Sequence, residues 1–407
     1  MKDKTILYIG NFSFPYGNAA GKRVYANGKI LRELGYNVIF IGMDKNVNSE
    51  EPLVNTRKEY DRFEYYNFSY PKNNFAWVKY RLAFKKLTDF VKPKILSKTS
   101  MIIYYGSPAL SLFNSQLISF CRKNNIKIIS DCVDWLTTKT NNPIFDLVKW
   151  ADNTYQKAYA NKKTDGIIAI SSYLADYYQK HGCKTIIIPP LSPVVYSLNM
   201  QEDTTNHNNQ KTILYAGIPF RKDQKVKDCN TLKDRIDKTI KLLYKAKENG
   251  SEFIFEIYGF NKEEYLTAIP EQKHYVEALG EHIIFHGYKP NAEIVNATAK
   301  ADFTILLRDV NRDSLAGFPT KVSESISCGT PVITTRTSDL ENYIVNGENG
   351  WFLDVINDEE CLSQLTAILK TDKIVIDNMK RNCITQNPFY FQRFTTKFSE
   401  FLNNYLS

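Results

Sequence analysis

The feature that most restricts the fold is a series of short apolar runs, each ending at a small or turn-forming residue and separated from the next by a helical stretch. In the first half these are "TILYIG" (5–10), "NVIFIG" (37–42), "MIIYYG" (101–106), "IKIISD" (126–131), "GIIAIS" (166–171) and "TIIIPP" (185–190). A strand with one face in water alternates apolar and polar residues, whereas a run that is apolar at nearly every position is buried on both faces. Buried runs alternating with helices define a parallel sheet with helices packed on each side. Between the first two runs, a glycine- and alanine-containing loop (11–23) leads into a helix whose Val24, Ile30, Leu31 and Leu34 fall near one face, and Gly35 stops it.

Residues 191–210, "LSPVVYSLNMQEDTTNHNNQ", interrupt this rhythm with a polar, Pro- and Asn-rich stretch that reads as a linker. The rhythm restarts with "TILYAG" (212–217), "FIFEIYG" (253–259), "HIIFHG" (282–287), "DFTILL" (302–307) and "PVITT" (331–335). The expected fold is α/β, with two doubly wound Rossmann-like domains over 1–190 and 211–387 facing a cleft. The 407 residues are enough for two or three domains. The tail, 388–407, is aromatic and amphipathic through Phe391, Phe394, Phe398, Phe401 and Leu402. Ligands of such sheets sit outside the carboxyl ends of the strands, so the loops there are the place to search.

Composition removes several classes. With 43% hydrophobic and 24% charged residues the chain is neither disordered nor collagen-like. No apolar run approaches the ~18–20 residues that span a bilayer, and the amino terminus turns polar too early for a signal peptide. Seven scattered cysteines without a CxxC pair read as reduced thiols and predict neither a bridge framework nor a metal site. These points lead to the expectation of a cytoplasmic protein.

Charge is uneven. Residues 1–190 hold 28 Lys+Arg against 15 Asp+Glu, a net of +13, and the remainder holds 25 against 29. A basic half suits a polyanion, either nucleic acid or an anionic membrane; a coding bias towards Lys and Asn is the plainer explanation. Segment 71–98 has eight cations against Asp89, with Trp77, Tyr80, Phe84, Leu87 and Val91 at spacings of three and four. That is a basic amphipathic helix, for which Trp77, Lys79, Arg81, Lys85 and Lys86 are candidate contacts to an anionic membrane surface. The alternative is a core helix with a solvated basic rim. A nucleic-acid binder would need stacking platforms or a reader motif, and net charge alone does not supply one, so no nucleic acid is expected.

The stretch "RDVNRDSLAGFPTKVSESISCGTPVITT" (308–335) carries the most chemistry. Gly317, Phe318 and Pro319 form a turn, Thr320 is a suitable N-cap, and Lys321–Cys328 reads as a short helix closed by Gly329. A glycine turn entering a helix presents free backbone N–H groups and a positive dipole end, which suit a phosphate. Glu324, one turn in, is positioned to accept hydrogen bonds from vicinal hydroxyls such as those of a ribose, or else to sit on a solvated face. After "TILYAG" the loop carries Arg221 and Lys222, and a helix is expected from about Thr231–Leu232. That puts Lys233 in a first turn, where a cation opposes the dipole. An anion among Lys233, Arg221 and the Gly317–Lys321 turn would relieve this; three solvated cations are the plainer reading.

These residues resemble the donor-binding domain of the GT-B glycosyltransferases, and glycosyltransferase family 4 most of all. The resemblance covers roughly 212–353, with "AGFPTKVSESISCGTPVITT" and "ENYIVNGENGWF" (341–352) its most specific parts. It implies a retaining, metal-independent transfer of a sugar from a nucleotide-sugar, with no cofactor, and a carboxy-terminal helix (388–407) that packs back on the first domain. By position, Glu324 would bind the donor ribose, Lys233 and Arg221 the diphosphate, and the backbone of Gly317, Phe318, Pro319, Thr320 and Lys321 the phosphate and sugar. The sequence departs from the family at two places. The first of the usual two glutamates is replaced by Ala316, leaving Asp313 or Asp309 to make its contact, and no histidine precedes His181 to face the sugar.

On the acceptor side, "DCVDWL" (131–136) follows a strand where the family often has an acidic or histidine residue. Asp131 and Trp135 are candidate acceptor contacts, and Asp134 a base or oxocarbenium stabiliser, against the alternative of a strand-end cap. Gly17 and Gly21 lie in the loop after the first strand. The expected function is transfer of a sugar to a glycan acceptor, lipid-linked and part of surface polysaccharide synthesis, by an enzyme at the inner face of the plasma membrane. Its rivals are a silent sugar-nucleotide-binding subunit beside an active transferase, and a nucleotide-sugar epimerase or phosphorylase on the same fold.

Overall fold

A computed structural model describes residues 4–15, 18–44, 53–69, 99–106, 111–135, 143–192 and 210–406. The chain divides into two compact units, one of residues 1–193, 316–318 and 390–407, the other of 194–315 and 319–389. Among the described residues no helix is long and apolar enough to cross a membrane.

In the first unit the elements run β1 (Thr5–Gly10), α1 (Ala19–Glu33), β2 (Asn37–Asp44), β3 (Leu53–Tyr60), β4 (Phe63–Ser69), β5 (Thr99–Tyr105), α2 (Ser111–Lys123), β6 (Lys127–Cys132), α3 (Pro143–Tyr155), β7 (Gly166–Ala169), α4 (Ser172–Gln179) and β8 (Thr185–Ile187). The sheet order is β3-β4-β2-β1-β5-β6-β7-β8. Every neighbouring pair is parallel except β3–β4. In register, Leu7 lies opposite both Ile39 and Ile102. These runs are apolar throughout because both faces are covered. Leu7, Ile9, Ile39, Ile102, Phe113 and Leu117 pack on one side. On the other, aromatic rings interlock, with Phe14 stacked on Phe40 at 4.2 Å and Tyr8 on Phe40 at 5.9 Å.

The helix expected after residue 23 begins earlier, at Ala19, because the Asn18 side chain caps it by accepting from Gly21 N at 2.8 Å. The β3–β4 hairpin has no counterpart in the expected strands. Its turn is Asp61-Arg62, both with positive φ (46° and 61°), where glycine or asparagine is the usual signal. Tertiary contacts hold it instead: Tyr25 Oη donates to Asp61 Oδ2 at 2.7 Å and Arg32 Nη2 to the same oxygen at 3.0 Å.

The second unit runs β9 (Lys211–Ala216), α5 (Ile236–Glu248), β10 (Phe253–Tyr258), α6 (Lys262–Ala268), α7 (Lys273–Leu279), β11 (Ile283–Gly287), α8 (Asn291–Lys300), β12 (Phe303–Leu306), α9 (Arg312–Ala316), α10 (Thr320–Ser327), β13 (Val332–Thr334), β14 (Gly350–Phe352), α11 (Asp358–Leu369) and α12 (Lys373–Thr385). Its sheet is parallel throughout in the order β11-β10-β9-β12-β13-β14. Counted from β9, that is the 3-2-1-4-5-6 order of dinucleotide-binding sheets. The last helix, α13 (Thr395–Leu406), belongs to the first unit. There Gln392, just before it, donates to Glu33 Oε1 at 2.6 Å.

The division differs from the expected boundaries: residues 191–193 and 316–318 group with the first unit, the rest of the expected linker groups with the second, and residues 388–389 stay with the second. For the latter the reason is packing: Phe389 stacks on Tyr343 at 5.0 Å, and Asn387 donates to Ser327 Oγ at 3.1 Å.

Candidate functional site

In the second unit the strand order reverses between β9 and β12, so the carboxyl ends of those strands mark the ligand crevice of a sheet of this kind. β9 runs out at Ala216 and Gly217, β12 at Leu306, followed by Leu307 and Arg308. Residues far apart in sequence meet here on one carboxylate. Arg308 donates to Asp234 Oδ1 through Nε (2.8 Å) and Nη2 (2.7 Å). Lys321 Nζ donates to Asp234 Oδ2 at 2.8 Å, and Tyr215 Oη to the same oxygen at 3.0 Å.

The cluster sets two cations against one carboxylate, with Asp234 and Arg308 buried and the Lys321 side chain 31% exposed. Burial pushes the Asp234 carboxyl up, but the charges and hydrogen bonds of Arg308 and Lys321 outweigh it and hold the carboxyl well below its usual range. The Tyr215 phenol goes the other way, raised by burial and by Asp234, and stays a neutral donor. Arg308 Nη1 is buried and finds no hydrogen-bond partner among the described residues. An unsatisfied donor beside an excess positive charge is a place for an anion.

Two local features shape the cluster. A Cβ on Gly217 would stand 2.4 Å from Lys321 Cε and 3.0 Å from Tyr215 Oη, so only glycine lets Lys321 lie across the end of β9. α10 has no side-chain cap: Pro319 is its N-cap and Thr320 its first residue, where Thr320 was expected as the cap. Its first-turn N–H groups and dipole therefore face outward from the helix end without a competing side chain. Glu324 lies one turn in and is exposed. Gly317 and Phe318 are buried.

The expected cation trio is not what assembles. Arg221 is exposed and paired with Asp223 at 3.6 Å. α5 begins at Ile236, after a 3-10 turn over Cys229–Thr231 that Asp228 caps, so Lys233 is exposed in the connection and not in a helical first turn. The displacement has a tertiary cause: Asp234 and Arg235 are drawn inward. Arg235 pairs with Asp237 (2.7 Å) and with Asp309, and Lys238 Nζ donates to Asp309 Oδ1 at 2.7 Å. Asp309 is thus committed to two cations and is not open to take the place of the missing glutamate. Ala316 is wholly buried, and Asp313 is half-buried in α9. Asp234, Arg308 and Tyr215 were not singled out from sequence. Their one local signal is polar residues placed directly at the ends of buried strands and beside an apolar helical stripe.

In the first unit Asp131 corrects an expectation. It is 0% exposed at the end of β6 and accepts from Arg23 Nη2 (2.7 Å) and Tyr8 Oη (2.6 Å). Arg23 Nη1 also donates to Ile188 O at 2.7 Å, and Asn27 to Tyr8 Oη at 3.0 Å. Asp131 ties α1 to β1, β6 and the end of β8, and its carboxylate is buried among those partners. Asp134 is exposed and Trp135 half-buried. The Trp135 ring meets Tyr177 (4.7 Å) and Tyr173 (5.9 Å) edge-on, and Lys157 Nζ sits 4.4 Å from its centroid. Gly21 has a structural explanation, since a Cβ there would stand 2.1 Å from Ser13 O. Gly17, and Trp77, Lys79, Arg81, Lys85 and Lys86, lie outside the described residues. Among the described residues no three His, Cys, Asp or Glu side chains group as metal ligands do.

Two doubly wound α/β units are the architecture of the GT-B glycosyltransferases, and structural comparison bears out that fold. Sucrose-phosphate synthase from Thermosynechococcus elongatus superposes with a TM-score of 0.67 at 14% identity, covering 98% of each chain. Anabaena HepE in complex with UDP and glucose gives 0.58 at 11% identity, over 98% of this chain and 100% of that one. Residues 231–387 match the family Glycosyl transferases group 1. WcaL of Salmonella typhimurium, to which a glycosyltransferase role in colanic acid biosynthesis is ascribed, is 22% identical over 227 residues, 55% of this chain. The match spans about half, 52%, of that curated relative's own length.

Proposed function

We propose that the chain is a retaining glycosyltransferase that moves a sugar from a nucleotide-sugar to a glycan acceptor without a metal ion. The observation that carries this reading is the Asp234 cluster at the switch point, with its excess positive charge and the unpaired Nη1 of Arg308. Lys321, Arg308 and the uncapped first turn of α10 bind the diphosphate, Lys233 adds an exposed cation, and Glu324 takes the ribose hydroxyls. In the reaction the bond from the anomeric carbon to the diphosphate oxygen breaks. A bond from that carbon to an acceptor hydroxyl oxygen forms on the same face, and the hydroxyl proton passes to the departing diphosphate. Positioning and the cations at the leaving group supply the catalysis. The domain match to Glycosyl transferases group 1, the likeness to WcaL and the UDP bound by HepE support the reading. With the basic first half they favour a lipid-linked acceptor of polysaccharide synthesis on the cytoplasmic side.

The test is calorimetry of the whole chain with UDP, GDP, ADP and CMP, followed by turnover of the sugar of the nucleotide that binds. Binding of one nucleotide, lost in Glu324→Ala and Lys321→Ala, is the expected result; binding of none overturns the reading. A second reading, a silent sugar-nucleotide-binding subunit, is favoured by one observation: Ala316 is buried and Asp309 is occupied by two cations. Nucleotide binding without transfer or donor hydrolysis would select it.

A further inference from the structure

α3 and the π-helical turn that continues it (Gln156–Ala160) are inside out. Among residues 146–160 the buried positions are Asn153, Gln156 and Ala160, two amides and one small apolar residue, with Gln156 donating to Asn161 Oδ1 at 2.8 Å. Their half-buried positions, Asp146, Lys149, Asp152 and Lys157, are all charged. The face turned outward is uncharged. Leu147 and Trp150 are each 63% exposed, and Val148, Tyr155 and Tyr159 are exposed beside them, with only Ala151, Thr154 and Ala158 between. A surface helix of a soluble domain has the opposite polarity, with its apolar stripe inward. A contiguous apolar face with a polar edge marks an interaction surface.

We infer that this face docks the protein on an anionic lipid surface. Charge decides between the possible occupants. Lys149, Lys157, Lys162 and Lys163 edge the face against Asp146 and Asp152, and Lys162 and Lys163 lie over the rings of Tyr177 and Tyr159. The first 190 residues carry a net +13, so a second copy laid face to face would bring two strongly positive halves together, whereas anionic headgroups neutralise them. The residue types agree. Trp and Tyr have an apolar body and a polar tip suited to the headgroup boundary, and lysine stems extend past an apolar floor to reach phosphate. The inference is independent of the nucleotide site, and its test needs no donor.

The experiment is co-sedimentation of the whole chain at low salt with vesicles of phosphatidylglycerol and phosphatidylcholine in equal parts, and with phosphatidylcholine alone. The parent binds the first and not the second. The double variant Leu147→Ser/Trp150→Ser binds the first at least about tenfold more weakly, the effect of removing two inserted apolar side chains, while its melting temperature is unchanged because both side chains are exposed. Three results overturn the inference: no binding of the parent to the anionic vesicles, equal binding to both vesicles, or a double variant that binds as well as the parent. In that last case a shift of the variant to a smaller sedimenting species would assign the face to a second copy. Retained binding in Leu147→Ser/Trp150→Ser, with loss when Lys79, Arg81, Lys85 and Lys86 are changed to Gln, would assign the membrane contact elsewhere.

Discussion

Lys321 and Asp234 stand 87 positions apart in the chain, and their charged atoms lie 2.8 Å apart at the carboxyl end of the second sheet. The contact exists because Gly217 leaves room for the lysine stem, and it leaves Lys321 at the edge of the cluster, 31% exposed, with Arg308 buried beside Asp234 and its Nη1 unpaired.

Gly217→Ala tests that room. The added methyl would overlap Lys321 Cε, so the lysine must leave Asp234. The lysine can swing aside at small cost because it is flexible and partly exposed, so stability changes little while nucleoside-diphosphate affinity falls about tenfold or more. A calorimetric titration that matches the parent would refute the arrangement.

Asp234→Asn tests the electrostatics. A carboxyl whose folded pKa is depressed contributes stability that is present above its unfolded value, about 3.9, and is lost as pH falls through the folded one. Since Arg308 and Lys321 depress that of Asp234, the parent loses stability on acidification below about pH 4. The asparagine variant starts less stable at pH 7 and shows a shallower loss over the same range. Denaturant melts at a series of pH values read this directly, and parallel curves would be the contrary result.

Asp131→Ala separates structure from binding. Removing the carboxylate strands a buried guanidinium, a change worth about 3–5 kcal/mol, because Arg23 is buried and pairs with Asp131 at 2.7 Å. Stability falls steeply, yet nucleotide affinity of the folded fraction stays as in the parent. A stable variant with impaired acceptor use would return Asp131 to the acceptor site.

Arg221→Ala is the counter-test to Lys321→Ala. Arg221 is exposed and its partner Asp223 is exposed too, so its loss changes stability by no more than about 0.5 kcal/mol. Nucleotide affinity stays near the parent value, while Lys321→Ala weakens it at least about tenfold. The reverse ranking in calorimetry would restore the loop arginine to the diphosphate.

Lys380 offers an alkaline signature unrelated to the site. Its ammonium is buried and donates to Ala299 O (2.8 Å) and Ala301 O, and burial lowers its pKa to about 8. Between that value and about 10.4, the unfolded chain holds the proton that the folded one has lost, so stability rises with pH. Lys380→Met removes this rise, and the difference between the two stability curves across pH 8 to 10 measures it.

The two α/β units, the parallel sheets and the short helix after Pro319 were legible because each rests on a local pattern: continuous apolar runs, helical spacing, a glycine turn. The β3–β4 hairpin was not, because Asp61 and Arg62 hold positive φ through contacts with Tyr25 and Arg32 that come from another element. Likewise Lys233 looked like a first-turn cation, until the burial of Asp234 and Arg235 moved the start of α5 to Ile236.

What the sequence determined by itself is the architecture and the neighbourhood of the candidate site, since strand burial and turn chemistry act over a few residues. Only the tertiary structure decided which charges meet. Nothing local in the sequence marks Asp234 and Arg308 as partners, and Lys321 stands out there only as part of a phosphate-binding turn. They meet because the parallel order of β9 and β12 brings Tyr215 and Arg308 side by side, with Asp234 drawn in from the connection after β9 and Lys321 reaching over from α10.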